Sequence, residues 1–464
     1  MNLKTFTLSL LVMATPAIAS AADYYVSPAG AGEKNGTSAE NAWGIDELLE
    51  QFNSANAANF QNGENVYFAA GKYVPTATLY VKMGINLIGA EGAERTVFNG
   101  DANGDGEINE GDRDRVFQIN TAVGVGTTEK CVTITNIDFE NLYIAQGGND
   151  TKGAIYLDNC GAEVTVSKCN FKDLVNTGQG ANAFFSKRST LKVVDCTFTG
   201  NKAANRGVVA RLQGDIKKGW TTFERCLFAD NEATGAAGDP CGIVMMQHGQ
   251  QMNFVNCSFI NNKVNGKGSC IWDGTAPDGN YSRILNVVSC TFADNSSAAE
   301  AEADQMEILL NAKSKANILN SIVLGGITAG DSIALQGNIT DKTREDVFGD
   351  NVLTDGVLAP IAKNETMEGF AAVVEALDPA INPAADITLD QTGAVRENNV
   401  IGAYDFAPSA IDDNPDEGGD DTNAIKTVGA QNQQKVAYNL NGQRVTSGKK
   451  GIIILNGKKV VSSL

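Results

Sequence analysis

One nine-residue phrase, returning at a nearly constant interval, constrains this chain more than any other feature. It reads Val193-Val194-Asp195-Cys196-Thr197-Phe198-Thr199-Gly200-Asn201. It returns around Cys226, Cys257 and Cys290, each followed by a phenylalanine (Phe228, Phe259, Phe292) and then an asparagine (Asn231, Asn262, Asn295). Weaker copies stand at Ser167-Lys168-Cys169-Asn170-Phe171, at Asn136-Ile137-Asp138-Phe139 and at Asn320-Ser321-Ile322-Val323. The key position falls at 137, 169, 196, 226, 257, 290 and 321, in steps of 32, 27, 30, 31, 33 and 31 residues. A unit of that length cannot bury its own apolar face, but stacked copies bury it against one another, which makes a solenoid.

Six of the seven copies are preceded by a second short apolar run: Ile155-Tyr156-Leu157, Phe184-Phe185, Val208-Val209-Ala210, Val244-Met245-Met246, Ile271-Trp272 and Ile308-Leu309. Two clear strands and a less regular third in each repeat describe one coil of a parallel β-helix, in which each strand lies beside its equivalent one repeat away. The asparagine that closes the phrase is expected at a sharp left-handed corner, with its amide bonded up the stack. Nine cysteines would ordinarily suggest disulfides in an exported chain. Because Cys169, Cys196, Cys226, Cys257 and Cys290 share one repeat position, we read them as stacked, buried thiols, although a coil spacing of ~4.8 Å leaves an occasional bridge sterically conceivable.

Outside the repeats, residues 1–22 have the pattern of a secretory signal peptide. Lys4 precedes an apolar stretch over Phe6–Met13, and cleavage is expected after Ala19 or Ala22. No later run reaches the ~20 apolar residues of a membrane helix. The mature protein is therefore expected to be secreted or held at the outer cell surface. Ile45, Leu48, Leu49 and Phe52 fall at helical spacing, so residues 44–54 are expected to form an amphipathic helix that plugs the open end of the solenoid. Residues 407–423 are acidic and poor in large apolar side chains, the composition of a linker, and 424–464 regain strand signals. The formal charge of −19 argues against nucleic acid or anionic lipid and allows neutral glycans, basic partners or divalent cations.

The ladder of Cys-x-Phe-x-x-Asn coils resembles the right-handed parallel β-helix of pectin-lyase-like proteins. The opening Tyr24-Tyr25-Val26-Ser27-Pro28 and Asn65–Tyr73 are similar to the first coil of secreted bacterial β-helix proteins, some of which are polysaccharide lyases. Asp390-Gln391-Thr392-Gly393-Ala394-Val395-Arg396 and Ile401-Gly402-Ala403-Tyr404-Asp405 resemble the ending of the choice-of-anchor Q group of surface β-helix proteins. Leu440-Asn441-Gly442-Gln443 and Gly451-Ile452-Ile453-Ile454 resemble the C-terminal sorting domain of type IX secretion cargo, with Ile453 where that family usually has tyrosine. Together these imply an all-β chain. Its parts would be a right-handed parallel β-helix over 23–406 with an N-terminal capping helix, then a linker and a small C-terminal β module.

Four groups of residues could carry chemistry. Asp101, Asn103, Asp105, Gly106, Glu107 and Asp112 fit the twelve-residue Ca²⁺ loop. In it Asp101, Asn103, Asp105 and Asp112 offer side-chain oxygens, Glu107 a carbonyl, and Gly106 the turn. The flanking segments read as strands, so a bound Ca²⁺ would brace neighbouring coils. Tyr156, Phe185, Met245 and Trp272, with Ala210 in the middle coil, share one offset; facing outward they would form a ledge for sugar rings, facing inward ordinary core. Lys187, Arg188, Arg211 and Asp273 stand at strand ends, where a lyase would need a cation and a base. His248, the one histidine, reads more readily as a turn residue than as that base.

These observations favour a surface or secreted protein that engages polysaccharide or a surface partner along its flank without catalysis. The alternatives are a calcium-assisted polysaccharide lyase and a purely structural adhesin or spacer.

Overall fold

The structure is a computed structural model. It describes residues 22–361, interrupted at 54–59, 121–130, 146–152, 161, 179, 205, 214–220, 237–240, 249–250, 269, 275–282, 301–304, 312 and 329–331, then 387–405 except 399, and four strands between 437 and 462. The signal-like segment 1–21 and the linker 407–423 lie outside the described residues. The chain divides into two compact units, 1–409 and 410–464.

The first unit is a right-handed parallel β-helix. A full coil contains four strands, one more than the repeat predicts. In the coil around Cys196 they are Leu191–Val194, Thr197–Thr199, Lys202–Ala203 and Arg206–Gln213. Stacked over successive coils they build an eleven-stranded pre-cysteine sheet, a nine-stranded phenylalanine sheet, a six-stranded post-asparagine sheet and a nine-stranded return sheet. All four pair in parallel, with Val193 beside Phe223 and Phe198 beside Phe228.

The repeated phrase is therefore two strands on two sheets. The break comes at the residue before the cysteine, or before Ile137 and Ser321 where these replace it, and it is left-handed in every repeat: Asn136, Lys168, Asp195, Arg225, Asn256, Ser289 and Asn320 have φ between 51° and 57°. The second corner also differs from expectation. The left-handed residue is Gly200, Asp230, Asn261 or Asp294, one position before the ladder asparagine. The ladder residue is left free to turn its amide inward. The Nδ2 of Asn201 donates to Asn231 Oδ1 at 2.8 Å, Asn231 to Asn262 at 2.9 Å, and Asn262 to Asn295 at 2.8 Å.

Inside the coils the apolar members stack in register. Phe139, Phe171, Phe198, Phe228, Phe259 and Phe292 lie with ring centroids 4.3 to 5.1 Å apart and planes within 16° of parallel. Offset stacking at this range adds to the burial of each ring. None of the nine cysteines is in a disulfide, and the five of the repeat are buried. Their sulfurs fill a structural place: Cys169 N donates to Cys196 Sγ at 3.4 Å, and in the last coil Ser321 Oγ accepts the same bond from Cys290 N. Burial pushes the Cys196, Cys226 and Cys257 thiols well above their ordinary range, so they stay protonated and unreactive.

The helix Ile45–Asn53 covers the first coil through Leu48, Leu49 and Phe52. Gly44 N donates to Glu47 Oε2 at 2.9 Å where the helix begins. A second short helix, Arg344–Phe348, closed by a Thr343/Asp346 capping box, was not legible as periodicity. It buries Val347 and Phe348 in an apolar cluster with Leu227, Ile260, Ala293 and Ile401, on the outer side of the phenylalanine sheet. Among the described residues no helix is long and apolar enough to cross a membrane. The second unit contains a four-stranded antiparallel sheet of Ala437–Tyr438, Arg444–Val445, Gly451–Leu455 and Lys458–Ser462.

Candidate functional site

The twelve-residue loop leaves the phenylalanine sheet after Thr96–Asn99 and rejoins the return sheet at Phe117–Ile119. It occupies the stretch where later coils place their post-asparagine strand. Gly100 opens it at a point too tight for any side chain, because an added Cβ would lie 2.1 Å from Asn141 O. Gly104 and Gly106 take left-handed φ of 74° and 78°. Asp105 accepts from Glu107 N at 2.8 Å and from the amides of Asn109 and Asn103 at 2.6 and 2.9 Å, which holds its carboxyl below the ordinary range. Asn109 N donates to Asp112 Oδ2 at 2.9 Å, and Lys72 Nζ approaches Asp101 Oδ2 at 3.5 Å. The remaining carboxylate oxygens, Asp101 Oδ1 and Asp112 Oδ1, are buried without a hydrogen-bond partner. Those two oxygens fit a hard cation, which would supply the partner they lack. Among the described residues no three of His, Cys, Asp and Glu stand grouped as a ligand set, and Asp105 accepts with both oxygens from its own loop.

The aromatic row lies on the return sheet, in the register Gln118, Tyr156, Phe185, Arg211, Met245, Trp272. Ala210 is not in it. A register irregularity between Gly207 and Ala210 moves the strand by one residue, so Ala210 pairs with Phe184 inside and Arg211 takes the outer place. The row stands outside the apolar core, yet Phe185 and Met245 are 3% and 0% exposed, and of its four apolar members only Tyr156 and Trp272 are half-buried. Tyr156 and Phe185 stack on each other at 5.4 Å and 18°. Arg115 lies 4.8 Å from the Tyr156 centroid and Arg211 5.7 Å from that of Phe185. Consecutive coils aim ring faces along the solenoid axis, where neighbouring rings and guanidinium groups cover them.

The strand-end residues do not come together as one patch. Asp273 points into the solenoid, where it pairs at 3.2 Å with Arg283 and accepts from Ser314 Oγ; both charged side chains are fully buried. Arg211 stays outside, its Nε donating to Gln247 Oε1 at 3.1 Å, and burial together with Arg206 lowers its pKa to about 10. Lys187 is half-buried beside Gln213, and Arg188 is an exposed left-handed turn residue with φ 51°. His248 is likewise an exposed left-handed turn residue, φ 54°, kept below the ordinary imidazole range by partial burial and by Arg211 and Arg283.

A site that the sequence reading missed lies where residues 387–405 fold back over the phenylalanine sheet. These residues form a clasp around Arg396. Its guanidinium donates to the carbonyls of Leu389, Val400, Gly402 and Ala403 and, at 2.9 Å, to Asn256 Oδ1 of a coil. Asp405 accepts from the N–H groups of Glu397, Asn398 and Val400. Although burial opposes it, those bonds and Arg396 hold its carboxyl below the ordinary range. The segment around Arg396 is thus a structural knot that ties the chain back to Asn256, Thr291 and Asn320.

Beside the clasp runs an open groove of about 670 Å³. Its floor includes the left-handed corner residues Lys168, Asp195 and Arg225 with Thr197; its wall is made by 355–357, Leu389 and 391–393. Arg225 forks onto Asp195 at 2.7 and 3.2 Å and also meets Glu224. Although burial alone would lower its pKa, those carboxylates raise it. The groove lining carries two cations, Lys168 and Arg225, against two carboxylates, Asp195 and Asp355, with the hydroxyls of Thr197 and Thr392 and the Gln391 amide between them. One sequence signal pointed here. The outward positions Asn170, Lys172, Thr197 and Thr199 are polar, whereas in later coils Leu227, Ala229, Ile260 and Ala293 are apolar and the polar pair Ser258 and Thr291 is bonded to Gln391 and Ala403 of the cover.

No protein-family model and no curated protein matches the chain. Among solved structures it is similar to a rhamnogalacturonan lyase at 11% identity, over 72% of this chain and 91% of that one, with a TM-score of 0.41. It is also similar to the pectate lyase Pel9A at 13% identity, over 87% of this chain and 95% of that one, with a TM-score of 0.40.

Proposed function

We propose that this is an exported or cell-surface β-helix protein that holds a neutral polysaccharide in the groove beside the clasp, without catalysis. The observation that carries the reading is the groove's lining. Its two cations and two carboxylates cancel, Arg225 is committed to Asp195, and the hydroxyls of Thr197 and Thr392 lie in the same lining. Such a surface suits a hydroxyl-rich, uncharged chain better than a polyanion, and the overall charge of −19 acts in the same direction. A panel of neutral and acidic polysaccharides tests it. Binding of a neutral glycan that Thr197→Ala weakens supports the reading. Ultraviolet-absorbing unsaturated product from an acidic glycan would replace it with the lyase reading. Binding by nothing in the panel would leave a spacer or stalk.

In the same reading Ca²⁺ braces the loop at 101–112, with Asp101, Asn103, Asp105, Asp112 and the Glu107 carbonyl as donors. The unpartnered oxygens of Asp101 and Asp112 support this assignment. Chelation by EDTA is expected to lower the melting temperature of the unaltered protein and to leave Asp105→Ala unaffected; an unaltered protein indifferent to EDTA counts against the brace. Residues 1–22 would direct export, and 424–464 would serve as a sorting or anchoring module.

A further inference from the structure

We propose that Gln391 is a positioning residue that pins the turn Thr354–Val357 as a flap over the groove and so sets how long a bound chain stays; this rests on the groove reading above. The turn is a tight hairpin. Thr354 and Val357 exchange backbone hydrogen bonds at 2.9 and 3.0 Å, and both central residues, Asp355 and Gly356, are left-handed at φ 50° and 80°. Two left-handed residues in succession make a stiff two-residue turn, so the flap moves as a body rather than by bending. Its hinges are apolar: Leu353 packs against the cluster beneath the clasp and Leu358 is buried in it. Its tip is open, with Thr354 and Asp355 exposed.

Among the described residues, one side-chain hydrogen bond reaches that tip from outside, the 3.0 Å bond that Gln391 Nε2 donates to Gly356 O. The other end of the same amide accepts from Ser258 Oγ of the coil at 2.5 Å, and Gln391 N donates to Ala403 O in the clasp at 2.8 Å. One residue thus joins the three parts that meet at the groove: its side chain ties the coil to the flap and its backbone N–H holds the clasp. An amide suits that place because it both accepts and donates; glutamate keeps only the bond from Ser258. With the donor gone, the flap hangs from its two hinges and the groove wall opens.

The test uses the full chain and its Gln391→Glu and Gln391→Leu variants. Hydrogen exchange followed by mass spectrometry should show the amides of 352–358 exchanging about tenfold faster in both, the size of effect expected from one lost hydrogen bond, with 396–405 and the coils unchanged. For the neutral glycan bound most tightly in the panel, dissociation should speed up several-fold while association stays the same. A purely structural role would instead lower the melting temperature and leave that split absent. Unchanged exchange at 352–358 refutes the pin, whatever the glycan data. Faster exchange with unchanged dissociation refutes the gating and leaves the groove reading intact. No binding by the unaltered protein defeats the groove reading and the gating with it, while the pin is judged by exchange alone.

Discussion

Two ladders of side-chain amides climb this solenoid, one inside and one outside, and they do different work with the same chemistry. The inner ladder runs through Asn201, Asn231, Asn262 and Asn295. Asn231 is fully buried, and its Nδ2 donates both to Asn262 Oδ1 and to Phe198 O. Its Oδ1 accepts from both the backbone N and the Nδ2 of Asn201, at 3.1 and 2.8 Å. Every donor and acceptor of the amide is used. The outer ladder lies on the pre-cysteine sheet, where Asn86 Nδ2 donates to Asn65 Oδ1, Asn286 to Asn253, and Asn317 to Asn286, at 2.7 to 2.8 Å. Here the amides donate toward the preceding coil, opposite in sense to the inner ladder. Asn286 spends one donor and one acceptor on other amides of the row, Asn86 and Asn253 spend one each on Thr133 and Thr222, and Asn65 and Asn86 are only half-buried. The inner ladder therefore closes a corner that water cannot serve, while the outer one aligns neighbouring coils.

That difference predicts a graded series, measured by denaturant unfolding. Asn231→Ala should cost most, about 3–5 kcal/mol, because it strands the Asn201 amide and backbone N–H in a dry corner. Asn286→Ala should cost about 1–3 kcal/mol, since Asn286 is 1% exposed but its amide has fewer partners. Asn86→Ala should cost about 0.5 kcal/mol or less, because water replaces what is removed. Equal costs for Asn231→Ala and Asn86→Ala would break the comparison. A sharper version is Asn231→Asp, which keeps the acceptor for Asn201 and loses both donors. A cost above that of Asn231→Ala would show that the dry corner cannot hold a carboxylate even where its acceptor is wanted.

The inner ladder was legible because Asn201, Asn231, Asn262 and Asn295 each follow a cysteine by five residues, inside a phrase with no other reading. The outer one was not. Asn253, Asn286 and Asn317 sit singly between apolar neighbours, and only the register of the sheet brings them side by side. Register also decided the aromatic row. A one-residue irregularity put Arg211 where counting placed Ala210, and a slip of one residue in a strand exchanges its inner and outer faces. Asp273 illustrates the same rule, since its place at a strand end did not reveal that it points inward to Arg283.

By itself the sequence determined that the chain coils, how long each coil is and what stacks in its core, because those depend on residue type recurring at fixed intervals. It also placed the loop at 101–112 and the capping helix, which are local patterns. Only the tertiary structure decided that each phrase bends at the residue before its cysteine, and that the ending around Arg396 is a clasp. The groove too needed the fold, because Arg225 and Gln391 are far apart in sequence and meet only when the clasp lies back across the coils. Contacts of that kind depend on how one stacked surface covers another, and a single strand's pattern records that a face is covered without recording by what.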